Sequence, residues 1–248
     1  MYKNITDTTL KIFGINFIYG EYEDALYRLN LGALMVVPAA PALALINSDV
    51  KYFNALQRSD FAIPDSGFMV LTLRIFKGIK LKKLSGLKFL RKFLDEEKIK
   101  QSSDVFLIDP TMEDSLINNK YLNKSGFLIE KSDHYISPIY NEDNIIDTKL
   151  LDIIEKKKPK YIIINLGGGV QERLGLYLKN HLSYLPGIIC TGAAIAFLTG
   201  RQANIPNYVD KLHLGWLYRC IENPKKFIPR YIKGFSLLPI LIKESIKK

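Results

Sequence analysis

The sequence predicts an α/β protein: a Rossmann-like, mainly parallel sheet core with a C-terminal helical appendage. Three observations carry this. Tyr161-Ile-Ile-Ile164 is a run of β-favouring apolar residues that ends in Gly167-Gly168-Gly169, the pattern of a buried strand feeding a tight loop. From residue 105 onward such runs alternate with amphipathic stretches, and that alternation implies a parallel sheet with right-handed crossovers. The tail differs in kind, with basic and aromatic residues interleaved over Pro224–Lys233. The boundaries expected are 1–195 for the α/β core and 196–248 for the appendage.

Taken in order, residues 10–19 alternate well enough for a strand, and Glu21–Leu31 is a short helix. Ala33–Val37 is a buried strand that stops at Pro38. Pro41 suits the first turn of a helix running to about Leu56. Phe61-Ala-Ile-Pro-Asp65-Ser-Gly67 is a short strand and a tight turn ahead of a helix over 68–76. A basic helix follows over 84–97. Val105–Ile108 and Gly126–Ile129 are strands separated by a helix near 112–122. Asn141 caps a helix running to Lys157. The 161–164 strand, a helix to about Leu182, the strand Gly187–Thr191 and a helix opening at Gly192 complete the core. In the tail, Pro229 and Pro239 break any long helix, so short helices are expected rather than a span.

The 248-residue chain fits one large domain, or a domain with an appendage, and its 48% hydrophobic content supplies an ample core. No run approaches the roughly 18 apolar residues of a membrane span, and the first residues lack the apolar segment of a signal peptide. Cys190 and Cys220 have neither metal nor redox spacing and read as reduced thiols of a cytoplasmic protein. The net charge of +10 is concentrated. Residues 74–100 carry ten Lys/Arg against three acids, and residues 201–248 carry the same. Two basic islands on a near-neutral body fit a localised anionic partner: phosphates, nucleic acid or an acidic membrane surface. No helix-turn-helix, zinc or RNA-recognition motif accompanies them. The apolar Leu237–Ile242 run flanked by basic residues instead suits a segment lying on anionic lipid, or else a docked helix with a solvated basic face.

The glycine loop marks the ligand end of the sheet. Its spacing is neither G-x-G-x-x-G nor a P-loop. Gly167, Gly168 and Gly169 allow close backbone approach to a ligand, and Gln171 and Glu172 stand at the mouth. Glu172 reads equally as an acid complementing the helix dipole. Asp65 lies at a strand-end turn, either as a functional carboxylate or as a helix cap. His134 follows a strand at the same end of the sheet, where it is a candidate nucleotide contact.

The order of these pieces resembles the WecG/TagA/CpsF family of bacterial glycosyltransferases, glycosyltransferase family 26. The match is carried by Pro64-Asp-Ser-Gly67, Lys83-Leu-Ser-Gly86, Leu166-Gly-Gly-Gly-Val-Gln-Glu172 and Leu214-Gly-Trp-Leu-Tyr-Arg219, with Pro224 and Arg230-Tyr231 after them. The resemblance implies transfer of a sugar (an N-acetylhexosamine, hexuronic acid or hexose) from a UDP-sugar to a polyprenyl-diphosphate-linked saccharide. The setting is cell-surface polysaccharide synthesis on the cytoplasmic face of the membrane. It implies inversion at the anomeric carbon, with no metal and no cofactor beyond the donor. Asp65 is then the general base. Arg219, Arg230 and Lys83 offset charge on the departing UDP, and the glycine loop, Gln171, Glu172, His134 and Trp216 bind substrate. The partners expected are the UDP-sugar, the lipid-linked acceptor and an anionic membrane, with a homo-oligomer allowed and no nucleic acid.

Several family positions differ. Pro38 and Ala40 stand where a Thr-x-Asn pair is usual, Lys83 replaces an arginine, Asn204 stands in an Arg-Ala-Pro block and Gly215 precedes the tryptophan. These departures point either to a changed sugar or acceptor, or to a catalytically weakened member kept as a membrane assembly partner. A nucleic-acid-binding α/β protein is the remaining alternative.

Overall fold

The structure, a computed structural model of the 248-residue chain, describes residues 9–99, 104–141, 144–192, 194–201 and 215–244. Among the described residues eight strands form one sheet: β1 (Thr9–Ile12), β2 (Ile15–Ile18), β3 (Ala33–Val36), β4 (Phe61–Ala62), β5 (Val105–Asp109), β6 (His134–Ile136), β7 (Tyr161–Ile164) and β8 (Gly187–Cys190). Their order is β1-β2-β4-β3-β8-β7-β5-β6. β1 and β2 pair antiparallel, and the other pairings are parallel. The α/β class with a Rossmann-like, mainly parallel sheet is thus the one the sequence predicts.

Twelve helices occur among the described residues: α1 (Tyr22–Asn30), α2 (Ala40–Leu43), α3 (Val50–Gln57), α4 (Gly67–Lys77), α5 (Gly86–Ile99), α6 (Met112–Lys124), α7 (Thr148–Lys157), α8 (Val170–His181), α9 (Ala194–Leu198), α10 (Gly215–Glu222), α11 (Pro224–Phe235) and α12 (Leu237–Lys243). They cover both sheet faces, and the strands alternate between two cores. Leu34, Val36, Phe106, Ile108, Ile162, Ile164, Ile188 and Cys190 pack with Leu43, Tyr52, Met69, Leu73, Leu150, Leu174 and Leu178. Met35, Phe61, Ile63, Leu107, Ile163 and Ile189 pack with Leu29, Phe89, Phe93, Leu122 and Ile195 on the other face. A strand buried on both faces needs the unbroken apolar runs seen here, so side-chain period alone separates the two cores.

Four local expectations are corrected. Residues 10–19 form a hairpin rather than one strand, turning at Phe13 (φ 55) and Gly14 (φ 76) with Ile12 opposite Ile15. Two consecutive positive φ values are the signature of a tight hairpin turn. The helix expected over 41–56 is two helices, because Asp49 caps a new one by accepting from the Tyr52 N–H at 2.9 Å. Residues 126–129 are not a strand: Asn123 binds both the N–H and the carbonyl of Ile129, and the next strand begins at His134. The helix expected from Asn141 starts at Thr148, where Asp147 accepts from the Leu150 N–H.

The tail forms three short helices, and Pro229 lies inside α11 rather than ending it. The apolar 237–242 run is partly docked. Leu237 and Leu241 are fully buried in the same core as β3 and β8. Lys77 Nζ donates to the Ile242 carbonyl, Glu244 accepts from the Phe13 N–H at 2.9 Å, and the rings of Phe68 and Phe235 meet edge to face at 5.3 Å. The docking reading therefore holds for one face of α12. Among the described residues no helix is long and apolar enough to cross a membrane.

Because Leu241 fills core space, Leu241→Ala should cost about 2–5 kcal/mol in urea-unfolding free energy. A loss of only a few tenths, as at exposed positions, would show that α12 lies on the body without contributing to its core.

Candidate active site

The parallel strands all end along one edge. Two residues beyond the Ile163–Ile189 pair stand Asn165 and Thr191, side by side on adjacent strands. Val37 follows the Val36–Cys190 pair on β3, and Asp65 lies two residues beyond Ile63 after β4. Asp109 ends β5. Side chains alternate along a strand, so these positions share the face whose core contains Ile63, Leu107, Ile163 and Ile189. After β5 the chain enters α6, whose Leu122 packs on this face, and after β7 it enters α8, whose Leu174 and Leu178 pack on the opposite face. The gap between β5 and β7 is therefore a topological switch point, where open α/β sheets bind ligands.

Gly167 and Gly168 are exposed, and a Cβ on either would meet nothing within 4 Å, so the loop faces open space. Gly169 has φ 96, a conformation that favours glycine, immediately before α8. Gln171 and Glu172 do not stand exposed at the mouth. They are 3% and 1% accessible. Glu172 accepts from the Gly169 N–H at 2.6 Å and from the Gln171 amide at 2.9 Å, while Gln171 Oε1 accepts from the Gly192 N–H at 2.8 Å. The pair joins the loop after β7 to the loop after β8.

Asp65 is half-buried, and Ser66 behind it caps α4 by accepting from the Met69 N–H at 3.1 Å. The Gly86 N–H at the start of α5 donates to Asp65 at 3.3 Å, and the Leu84 N–H donates to the Pro64 carbonyl at 3.2 Å. The Pro64–Gly67 and Lys83–Gly86 blocks, distant in sequence, therefore touch, and Lys83 lies half-buried beside the turn. Asp65 and the glycine loop are not adjacent. β3 and β8 lie between β4 and β7, so the two are separated by three strand spacings, about 14 Å.

His134 faces inward from the edge strand β6. Its Nδ1 lies 3.3 Å from Asp109 Oδ2 and 3.0 Å from Ser115 Oγ, and Asn119 Nδ2 lies 3.1 Å from its Nε2. An amide nitrogen can only donate, so Nε2 accepts from Asn119, and Nδ1 faces both Ser115 Oγ and Asp109 Oδ2. Both ring nitrogens are engaged within the protein. The side chains of Trp216, Arg219 and Arg230 lie outside the described residues. Among the described residues no three His, Cys, Asp or Glu side chains are grouped as a metal requires. A cavity of 560 Å³ between the hairpin turn and α12 includes Phe13, Gln57 and Glu244 in its lining. It lies at the amino end of β2, away from this edge, and plays no part in the site.

Sequence reasoning assigned no role to Asp109, Asn165, Thr191, Tyr52 or Arg173. Asp109 and Asn165 did carry a signal, since each is the first polar residue after an apolar strand. Arg173 ion-pairs with Asp49 and lies over the Tyr52 ring at 5.9 Å from guanidinium carbon to ring centre. Burial pushes the Tyr52 hydroxyl well up, with the Glu172 charge adding to it.

Burial also raises the Glu172 pKa, against the hydrogen bonds that favour its ionised form. An acid raised in the folded state stabilises the fold fully below its ordinary value of 4.5 and loses that contribution as pH rises through the folded value. Wild type should therefore lose stability relative to Glu172→Gln as pH increases from 4.5 to neutrality. Urea titrations of both proteins across that window check this. A gap that stays constant with pH would mean that Glu172 titrates as an exposed glutamate does.

Comparison with known proteins identifies the family. The model of the glycosyl transferase WecG/TagA/CpsF family matches residues 10–248. A protein of Bacillus subtilis (strain 168) named N-acetylglucosaminyldiphosphoundecaprenol N-acetyl-beta-D-mannosaminyltransferase is 24% identical over 212 residues, covering 81% of this chain and 75% of its own. A protein of the same name from Bacillus spizizenii is 22% identical over 217 residues, covering 82% and 78%. The family match spans nearly the whole chain, including the tail, and the chain belongs to the WecG/TagA/CpsF family of glycosyltransferases.

Proposed function

We propose that this enzyme transfers an N-acetylhexosamine from a UDP-sugar to a polyprenyl-diphosphate-linked saccharide in cell-envelope polysaccharide synthesis. The observation that carries the reading is the row of strand ends running from Asp65 to the glycine loop, on a chain whose relatives are named for such a transfer. The span of about 14 Å between its ends is one that an extended nucleotide sugar can bridge. In this reading the nucleotide diphosphate lies toward β7 and the acceptor hydroxyl lies at Asp65.

Asp65 takes the proton of the acceptor hydroxyl as that oxygen attacks the anomeric carbon, and the sugar is transferred with inversion. The Gly86 N–H fixes one carboxylate oxygen and thereby orients the base. The UDP leaves from the opposite side of the sugar. Its charge is offset by N–H groups at the start of α8, where Gly167 and Gly168 leave the backbone accessible. Arg219 and Arg230 supply cationic charge to the same group, without a metal, and Lys83, in the block that touches the Asp65 turn, supplies it at the acceptor end. The Gln171–Glu172 pair acts on this site by holding the two βα loops at a fixed separation.

On this reading the enzyme works as a peripheral protein on the inner face of the membrane, where it meets a lipid-linked acceptor. Supporting this, α11 exposes Ile228, Ile232 and Phe235 beside Lys225 and Lys233, and α4 exposes Leu71, Ile75 and Phe76 beside Arg74 and Lys77. Exposed apolar side chains edged by cations fit an anionic lipid surface, each cation adding roughly 1 kcal/mol.

Two experiments test the proposal. Asp65→Asn should lower transfer to a polyprenyl-diphosphate GlcNAc acceptor by about 10²–10⁴-fold and leave UDP affinity within a few-fold. Turnover near wild type would remove Asp65 from the mechanism. Replacing Ile228 and Ile232 together by Ser should abolish co-sedimentation with phosphatidylglycerol vesicles while a short, water-soluble acceptor is still glycosylated. Unchanged sedimentation would show that this face does not meet lipid.

A further inference from the structure

Beneath the edge between β5 and β7 lies a polar cluster that the proposed chemistry leaves unused. Asp109 is completely buried at the end of β5. Its Oδ1 accepts from Asn118 Nδ2 at 2.7 Å and from Asn165 Nδ2 at 2.8 Å, and its Oδ2 faces His134 Nδ1. A carboxylate only accepts, so the Asn165 amide has one permitted orientation: nitrogen toward Asp109, oxygen away from it. That oxygen is buried and has no hydrogen-bond partner among the described residues. The whole Asn165 residue is 8% accessible. Beside it, just after β8, the buried Thr191 hydroxyl also lacks a partner among the described residues.

Buried polar atoms are nearly always bonded, and leaving an acceptor unpaired costs free energy that a fold does not spend without return. Two unpartnered oxygens on neighbouring strand ends, at the switch point and beside the open glycine loop, indicate a ligand rather than a packing defect. Asp109, with Asn118 and His134 behind it, holds the Asn165 oxygen as a fixed acceptor, and the Thr191 hydroxyl can donate or accept beside it. We propose that Asn165 binds the sugar-nucleotide donor, its Oδ1 accepting from an N–H or O–H group of that molecule and Thr191 Oγ1 completing the contact. Asp109 and His134 then act through Asn165 as positioning residues. The inference rests on the UDP-sugar reading of the site. The shared chemistry is a hydrogen-bond donor, present on the uracil imide and the ribose and also on the transferred sugar.

Calorimetric titration of wild type, Asn165→Leu, Asn165→Ser and Thr191→Val with UDP and with UDP-N-acetylglucosamine tests it, with thermal melting to confirm folding. Loss of about tenfold in affinity for both ligands supports the proposal and assigns the contact to the nucleotide. Loss for UDP-N-acetylglucosamine alone supports it and assigns the contact to the sugar. Folded variants that bind both ligands as wild type does overturn it, and the oxygens are then satisfied by internal water. If both Asn165 substitutions prevent folding, Thr191→Val decides between the same two outcomes. Wild-type protein that binds neither ligand overturns the donor reading itself, and this proposal with it.

Discussion

Burial of the central strands on both faces is the constraint on which this molecule depends. β3, β8, β7 and β5 have almost no exposed side chain, and the backbone groups within them are paired along the sheet. A strand in that position cannot carry a polar side chain without a partner. Polar chemistry is therefore confined to the ends of the strands, where the chain leaves the sheet. The polar residues that close the apolar runs, Asp65, Thr191, Asn165 and Asp109, line up along that edge.

The polar groups drawn inside at that edge are bonded to one another. Glu172 holds the Gly169 N–H and the Gln171 amide, and Gln171 holds the Gly192 N–H. Asp109 gathers two asparagine amides and a histidine. Such networks are rigid when satisfied, and both lie directly behind the loops that would face substrate. Gln171, Glu172 and His134 thus have a common character. Each bonds inward to other protein groups.

The tail is amphipathic, and one face of it belongs to the core. Leu237 and Leu241 complete the main core, and the hydrogen bond from Lys77 to Ile242 holds the end of α12 against α4. The side chains turned outward on α11 and α4 remain apolar and edged with lysine and arginine. On the proposed reading this arrangement fixes the lipid-facing surface relative to the catalytic edge, so that an acceptor held in the membrane meets Asp65 in one orientation.

The sequence by itself determined the α/β class, the strand at 161–164 and the glycine loop after it. Those features depend on runs of a few residues and on conformations that favour glycine, both local properties. It also placed Asp65 at a strand-end turn and marked the blocks that identify the family. It did not show the turn at Phe13-Gly14 or the new helix start at Asp49, because short turns and caps interrupt a hydrophobic pattern without changing its composition. Only the tertiary structure decided which strand ends are neighbours. In a parallel sheet adjacent strands are joined by long crossovers, so Asn165 meets Asp109 across 56 residues and Gly86 meets Asp65 across 21. Whether Glu172 faces substrate or the interior was likewise settled by packing, since a first-turn glutamate satisfies its helix in either setting. The same holds for Leu237 and Leu241, whose apolar side chains suit lipid and protein equally until a core is present to receive them.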